Sequence, residues 1–246
     1  MSLLSIEGVT KRYKRGRLER VAVRNVSLGV EAGELVAVWG VRRSGRSTLL
    51  RIAAGVELPD EGRVYFDGSD LARSRNHTLG RDIGYCRTSV PKDGGLVLEH
   101  VASGLLAQEI SPRQARHRAE EVLRRVGAEQ CGQLECYELD GAEGVRVAIA
   151  AALIASPKLL VIDEPTSGVE LLERDPILAL LRSIANVGVA VLITAGDAQG
   201  LAGVDRAMSI DSGELRGDIR PTDARVVPLR ATSARADAAG LAARPR

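Results

Sequence analysis

Apolar residues alternate with polar ones near the N-terminus, run unbroken in several later places, and recur at helical spacing between them. Alternation at Leu4 and Ile6, and again at Val21, Val23 and Val26, predicts an antiparallel pair of strands over 3–10 and 21–30. The segment Lys11 to Arg20 between them reads as a basic loop with one aromatic, Tyr13. Unbroken runs at 34–38, 159–162 and 189–194 predict buried strands, the second a central parallel one. Shorter strands are expected at 63–68, after the turn Pro59-Asp60-Glu61-Gly62, and at 83–86, 206–211 and 214–217.

Helical spacing takes over from Val97, where Leu98, Val101, Leu105 and Leu106 share one face. Ser111 followed by Pro112 predicts a capped helix start, with the helix running over 113–126 and its charged residues on a solvated face. Residues 145–156 are nearly all apolar, so that helix is expected to be buried, and another is predicted over 175–186. The order of elements is that of an α/β chain.

Between the strand at 34–38 and a helix beginning near Leu49 lies Gly40-Val41-Arg42-Arg43-Ser44-Gly45-Arg46-Ser47-Thr48. This meets the P-loop pattern G-x-x-x-x-G-K-[ST] everywhere except at the lysine, which is Arg46. Loop amides and an open helix N-terminus converge on one place and favour negative charge there. Gly40, Arg42, Arg43, Ser44, Gly45, Arg46, Ser47 and Thr48 are therefore the candidate triphosphate-binding set, with the Ser47 hydroxyl available to Mg²⁺. Arg46 keeps the charge of a lysine but is broad, planar and suited to bidentate contacts. Arg43 stands where a tightly wrapped loop favours glycine and a positive φ.

A length of 246 residues suits one large domain, or one with a subdomain, and a net charge of +2 argues neither for nor against nucleic acid. Lysine occurs only at Lys11, Lys14, Lys92 and Lys158, so the basic residues are almost all arginine and Arg46 follows that bias. Cys86, Cys131 and Cys136 and the three histidines have no metal-ligand spacing, which leaves reduced thiols as the expectation. Met1-Ser2-Leu3-Leu4 runs into Glu7 and Lys11 without the form of a secretory signal. The longest apolar stretch is broken by Ser156-Pro157-Lys158, so no membrane span is expected and any membrane role needs a partner. Beyond Pro221 five arginines stand against two aspartates with no aromatic, and 221–246 is expected to be a disordered tail.

Leu159-Leu160-Val161-Ile162 ends at Asp163-Glu164-Pro165. An aspartate after such a strand is what a P-loop NTPase uses to hold Mg²⁺ from beside the loop, and Glu164 is placed to polarise an attacking water as the catalytic residue. Tyr13 reads equally as a purine-stacking ring or as the edge of a core.

Over roughly 3–217 the chain resembles the ATP-binding cassette of ABC transporters, in the order Tyr13, P-loop, Ile83-Gly84-Tyr85, Leu139-Asp140-Gly141-Ala142 and Asp163-Glu164-Pro165-Thr166-Ser167. Its basic N-terminal segment is similar to the lipoprotein-releasing and macrolide-export branch. The resemblance implies a RecA-like P-loop NTPase core with an N-terminal antiparallel β subdomain and an inserted α-helical subdomain at about 88–157, within a domain spanning 1–220. It implies ATP and Mg²⁺ as cofactors, Tyr13 against adenine, and Asp163 and Ser47 on the metal. It also implies a membrane permease and a second cassette as partners, at the cytoplasmic face of a membrane. Pairing head to tail would set Asp140 and Gly141 against the partner's nucleotide. Cassettes for DNA repair or translation usually carry a second cassette or a coiled-coil insertion, so no nucleic-acid partner is expected.

Several positions depart from the family pattern. The signature expects Leu-Ser-Gly-Gly, and a carboxylate at Asp140 facing a phosphate about 4 Å away would be repelled by roughly 4 kcal/mol at an effective dielectric near 20. Thr88 stands for a glutamine, Ala195-Gly196 for the switch histidine, and Gly168-Val169-Glu170 for Ala-Leu-Asp. Loss of one preorganised donor costs on the order of 10²- to 10³-fold in rate, so weak or absent hydrolysis with retained binding is the expectation. A working transport ATPase and a pseudo-ATPase scaffold subunit both remain open.

Overall fold

Strands with apolar residues at every position need cover on both faces, and the central sheet of this chain has it. The computed structural model describes residues 2–16, 18–73, 79–86, 94–106 and 110–219; Thr88 and the segment 221–246 lie outside them. In chain order the elements are β1 (Leu4–Arg15), β2 (Leu18–Val30), β3 (Leu35–Trp39), α1 (Arg46–Ala53), β4 (Glu61–Phe66), β5 (Ser69–Asp70), α2 (Leu79–Asp82), β6 (Ile83–Cys86), α3 (Val97–Leu106), α4 (Pro112–Arg125), α5 (Gly141–Leu153), β7 (Leu159–Ile162), α6 (Leu171–Asn186), β8 (Ala190–Ala195), β9 (Arg206–Asp211) and β10 (Glu214–Ile219).

The strands form two sheets. One is four-stranded and antiparallel, in the order β2-β1-β4-β5; the other is six-stranded, in the order β10-β9-β3-β8-β7-β6. In the second sheet β9, β3, β8, β7 and β6 are mutually parallel, and β10 returns antiparallel. This is an α/β P-loop NTPase fold. Alternate residues of its central strands serve two cores: Leu35, Ala37, Leu160, Ile162, Val191 and Ile193 face the helices α3, α5 and α6, while Val36, Val38, Leu159, Val161 and Leu192 face α1 and the antiparallel sheet. The β3 and β8 ends that meet at Val38 and Thr194, and the β7 end at Ile162, therefore open onto one crevice at the carboxyl edge of the sheet.

Four expectations change in detail. Lys11 to Arg20 is not a loop: β1 and β2 stay paired through Lys11 with Val23 to Arg15 with Leu18, because the charged residues there sit on a solvated hairpin that backbone pairing alone maintains. The helix expected from 145 begins at Gly141, since Asp140 caps it. The helix expected from 175 begins at Leu171, which leaves Pro176 inside it rather than at its first turn. Finally, β7 is not next to β3; β8 lies between them, so the aspartate reaches the loop across a strand. The Ser111 cap with Pro112 at the first turn is as expected, the Ser111 hydroxyl accepting the Gln114 amide.

Candidate functional site

Close packing, more than residue preference, fixes the loop after β3. A Cβ on Gly40 would lie 2.3 Å from the Ile210 carbonyl oxygen, and one on Gly45 would come 2.2 Å from that of Ala22. Gly45 also has φ 112°, and from it α1 departs with the amides of its first turn free of intrahelical acceptors. The loop is tied at both ends, with the Gly40 amide donating to Ala195 and the Gly213 amide donating to the Ser44 carbonyl. Arg43 takes φ 67°, the left-handed conformation its position called for, and Arg20 on β2 donates to its carbonyl at 2.5 Å.

Around this loop lies a cavity of about 150 Å³ bounded by Tyr13, Arg20, Ala22 and residues 43–48. It adjoins an open crevice lined by Arg42, Arg43, Arg46, Ser47, Asp163, Glu164 and Ser167. The expected metal ligands, Ser47 and Asp163, and the expected catalytic Glu164 therefore share one space with the loop. Ser47 is exposed, and a hydroxyl with a carboxylate is the oxygen donor set that suits Mg²⁺.

Tyr13 stands at one end of the cavity. Its hydroxyl donates to Glu57 at 2.7 Å, accepts from Arg51 at 2.9 Å and lies 3.3 Å from the Thr48 hydroxyl. Thr48 thus turns its side chain to the tyrosine rather than into the loop. Burial pushes the Glu57 carboxyl up, but the hydrogen bonds from Tyr13 and Arg51 and the charges of Arg51 and Lys11 outweigh it and hold the group below the usual range. Its folded-state pKa lies below its unfolded one. The linked stability is therefore present above about pH 4.3 and is lost as pH falls through the folded value. Glu57→Gln is expected to cost about 1 kcal/mol at pH 7 and less at pH 3, read from urea midpoints at the two pH values.

Arg46 occupies the other end. The side chain is only 6% exposed, and Nη2 meets Glu164 Oε1 at 2.5 Å. Nη1 is buried with no hydrogen-bond partner among the described residues, as is the Ser44 hydroxyl. Gly196 lies against the pair: a Cβ there would be in van der Waals contact with both, 3.5 Å from Arg46 Nη1 and 3.7 Å from Glu164 Oε1.

Thr194, buried at the end of β8, was not singled out by sequence and organises the acidic pair. Its hydroxyl donates to Asp163 Oδ1 at 2.6 Å and accepts the Glu164 amide at 2.9 Å. Glu164 itself takes φ 50°, a conformation in which non-glycine residues are uncommon. The only sequence sign of Thr194 was a hydroxyl closing an otherwise apolar run.

Asp140 and Gly141 are set apart from this crevice, lining a separate one with Gly127, Gln130, Gly168 and Glu170. The Asp140 carboxylate does not project freely: Oδ1 accepts the Glu143 amide at 2.7 Å and the Glu143 side chain accepts the Asp140 amide, a complete capping box. Engaged there, beside a positive helix end, it opposes a phosphate less than the free carboxylate expected from sequence.

A glycine-bounded anion cradle at the carboxyl edge of a parallel sheet, with an acid-tipped strand one place removed, defines a P-loop NTPase. Residues 23–167 match the ABC transporter family model, and the chain belongs to that family. It is 36% identical over 226 residues to the lipoprotein-releasing system ATP-binding protein LolD of Chromohalobacter salexigens, covering 88% of this chain and 94% of that one. The LolD of Cereibacter sphaeroides is 34% identical, with 87% and 98% covered. Among solved structures, a dimeric post-hydrolysis state of the cassette MJ0796 bound to ADP and Pi has a TM-score of 0.80 at 28% identity, covering 88% of this chain and 98% of that one. The cbiO1 protein of Clostridium perfringens, part of the ABC transporter complex cbiONQ, has a TM-score of 0.79 at 25% identity, with 90% and 89% covered.

Proposed function

We propose that this chain is the nucleotide-binding subunit of a transporter, one that holds ATP and cleaves it slowly or not at all. The observation that carries the reading is the 2.5 Å contact between buried Arg46 and Glu164. A carboxylate held by a guanidinium is a poor acceptor for a water proton, and the histidine that would contact the γ-phosphate is replaced by Ala195-Gly196. Binding rests on groups that survive: the loop amides, Ser47, Arg46 and the Tyr13 ring, for which adenine is the proposed partner. Ser47 and Asp163 would hold Mg²⁺, which supplies charge neutralisation at the phosphates.

The LolD relatives and the dimeric cassette support a pair of cassettes seated on a membrane permease, at the cytoplasmic face. Among the described residues no helix is long and apolar enough to cross a membrane, so the attachment would be peripheral. In a head-to-tail pair Asp140 and Gly141 would face the partner's nucleotide, and the dimer is homomeric or formed with an intact cassette.

Titration with a fluorescent ATP analogue and a steady-state phosphate-release assay test the reading together. Saturable binding is expected, with turnover at least about 10²-fold below that of an intact cassette assayed alongside. Turnover comparable to the intact cassette and abolished by Glu164→Gln would establish a working ATPase. No binding at millimolar nucleotide would leave a scaffold subunit.

A further inference from the structure

The phosphate site carries its own counter-cations, and we propose that it holds a nucleoside triphosphate without help from a divalent metal ion. The inference rests on the nucleotide reading above and adds to it how the phosphate charge is met. Arg42, Arg43 and Arg46 line the crevice that also contains Ser47, Asp163 and Glu164, and Arg20 lines the adjoining cavity. A loop of the ordinary pattern brings one lysine to this place.

Arg46 is the most deeply placed of these cations. It is more than nine-tenths buried, and its Nη2 is engaged by Glu164. Its Nη1 is buried with no partner among the described residues. A desolvated guanidinium donor of that kind is costly until an anion accepts from it, and a phosphate oxygen in the loop is such an acceptor. With one end on Glu164 and the other on phosphate, Arg46 would separate two anionic groups that otherwise repel. Arg43 adds a second cation from a left-handed conformation, φ 67°, which glycine would adopt with less strain.

One oxygen of the carboxylate that would hold a metal, and the carboxylate beside it, are meanwhile engaged. Asp163 Oδ1 accepts the Thr194 hydroxyl at 2.6 Å, and Glu164 accepts from Arg46. A divalent ion between Ser47 and Asp163 would share its crevice with three guanidinium groups, so its gain there is smaller than in a loop with a single lysine.

The test is the affinity of the full chain for trinitrophenyl-ATP, titrated with excess Mg²⁺ and again with EDTA. The two dissociation constants are expected to agree within about fivefold. A larger weakening in EDTA overturns metal independence while leaving nucleotide binding intact, and absence of binding in both buffers overturns both. Arg43→Gly, which relieves the backbone and so does not endanger folding, is expected to weaken binding about tenfold in EDTA and under about threefold in Mg²⁺. Equal weakening in the two buffers, or none, overturns the assignment of the missing charge to the loop arginines.

Discussion

Gly45→Ala is expected to abolish nucleotide binding and to lower the folding free energy by about 3 kcal/mol or more. Two independent costs meet at this residue. Its φ of 112° lies where an L side chain is strained by about 1–3 kcal/mol. A Cβ would also stand 2.2 Å from the Ala22 carbonyl oxygen on β2, and that atom is backbone in a paired strand, unable to swing aside. The relief available is to move the loop, which would pull the first turn of α1 and the neighbouring loop amides away from the phosphate position. For a chain of this size 1 kcal/mol shifts the melting temperature by about 2–4 °C, so a fall on the order of 6–12 °C is the reading to look for. Gly144→Ala is the control. It lies within α5 with nothing within 4 Å of the added Cβ, and helix propensity makes it neutral to about 1 kcal/mol stabilising. If the two variants melt alike, close packing does not shape the loop.

The strands of the parallel sheet were legible because burial on both faces leaves an unmistakable apolar run, as at Leu159 to Ile162, all fully buried. The loop was legible for a different reason. Gly40 and Gly45 sit where other chain segments approach to within a Cβ's reach, so their spacing records geometry directly. What sequence did not show follows from contacts between distant residues. Arg46 read as compositional drift from lysine, whereas in the fold it is paired with Glu164, 118 positions later (164 − 46), and fitted against Gly196. Asp140 read as a carboxylate facing phosphate from its place in the signature, and its capping role did not show because the helix after it was expected to begin at 145. With the helix starting at Gly141, the same side chain is a cap. The paired stretch from Lys11 to Arg20 was missed since its polarity is that of a loop, and only cross-strand register reveals it.

Removing Glu164 should therefore cost more than removing its partner. Glu164→Ala leaves a guanidinium, only 6% exposed in the native chain, with Nη2 joining Nη1 in having no acceptor among the described residues. Stranding one member of a fully buried pair costs about 3–5 kcal/mol; since the Glu164 side chain is 35% exposed and water can follow it out, about 2 kcal/mol is expected here. Arg46→Met has the opposite character. It removes the buried charge, fills similar volume, and leaves a carboxylate already near solvent, so under about 1 kcal/mol is expected. In the double variant neither charge remains, and its stability should match Arg46→Met within about 0.5 kcal/mol, a coupling of about 1.5–2.5 kcal/mol. Urea midpoints of the four proteins without nucleotide measure it. A Glu164→Ala cost that is the same with and without Arg46 would mean that the pair does not form in the nucleotide-free chain, and the carboxylate proposed to activate water would then be free.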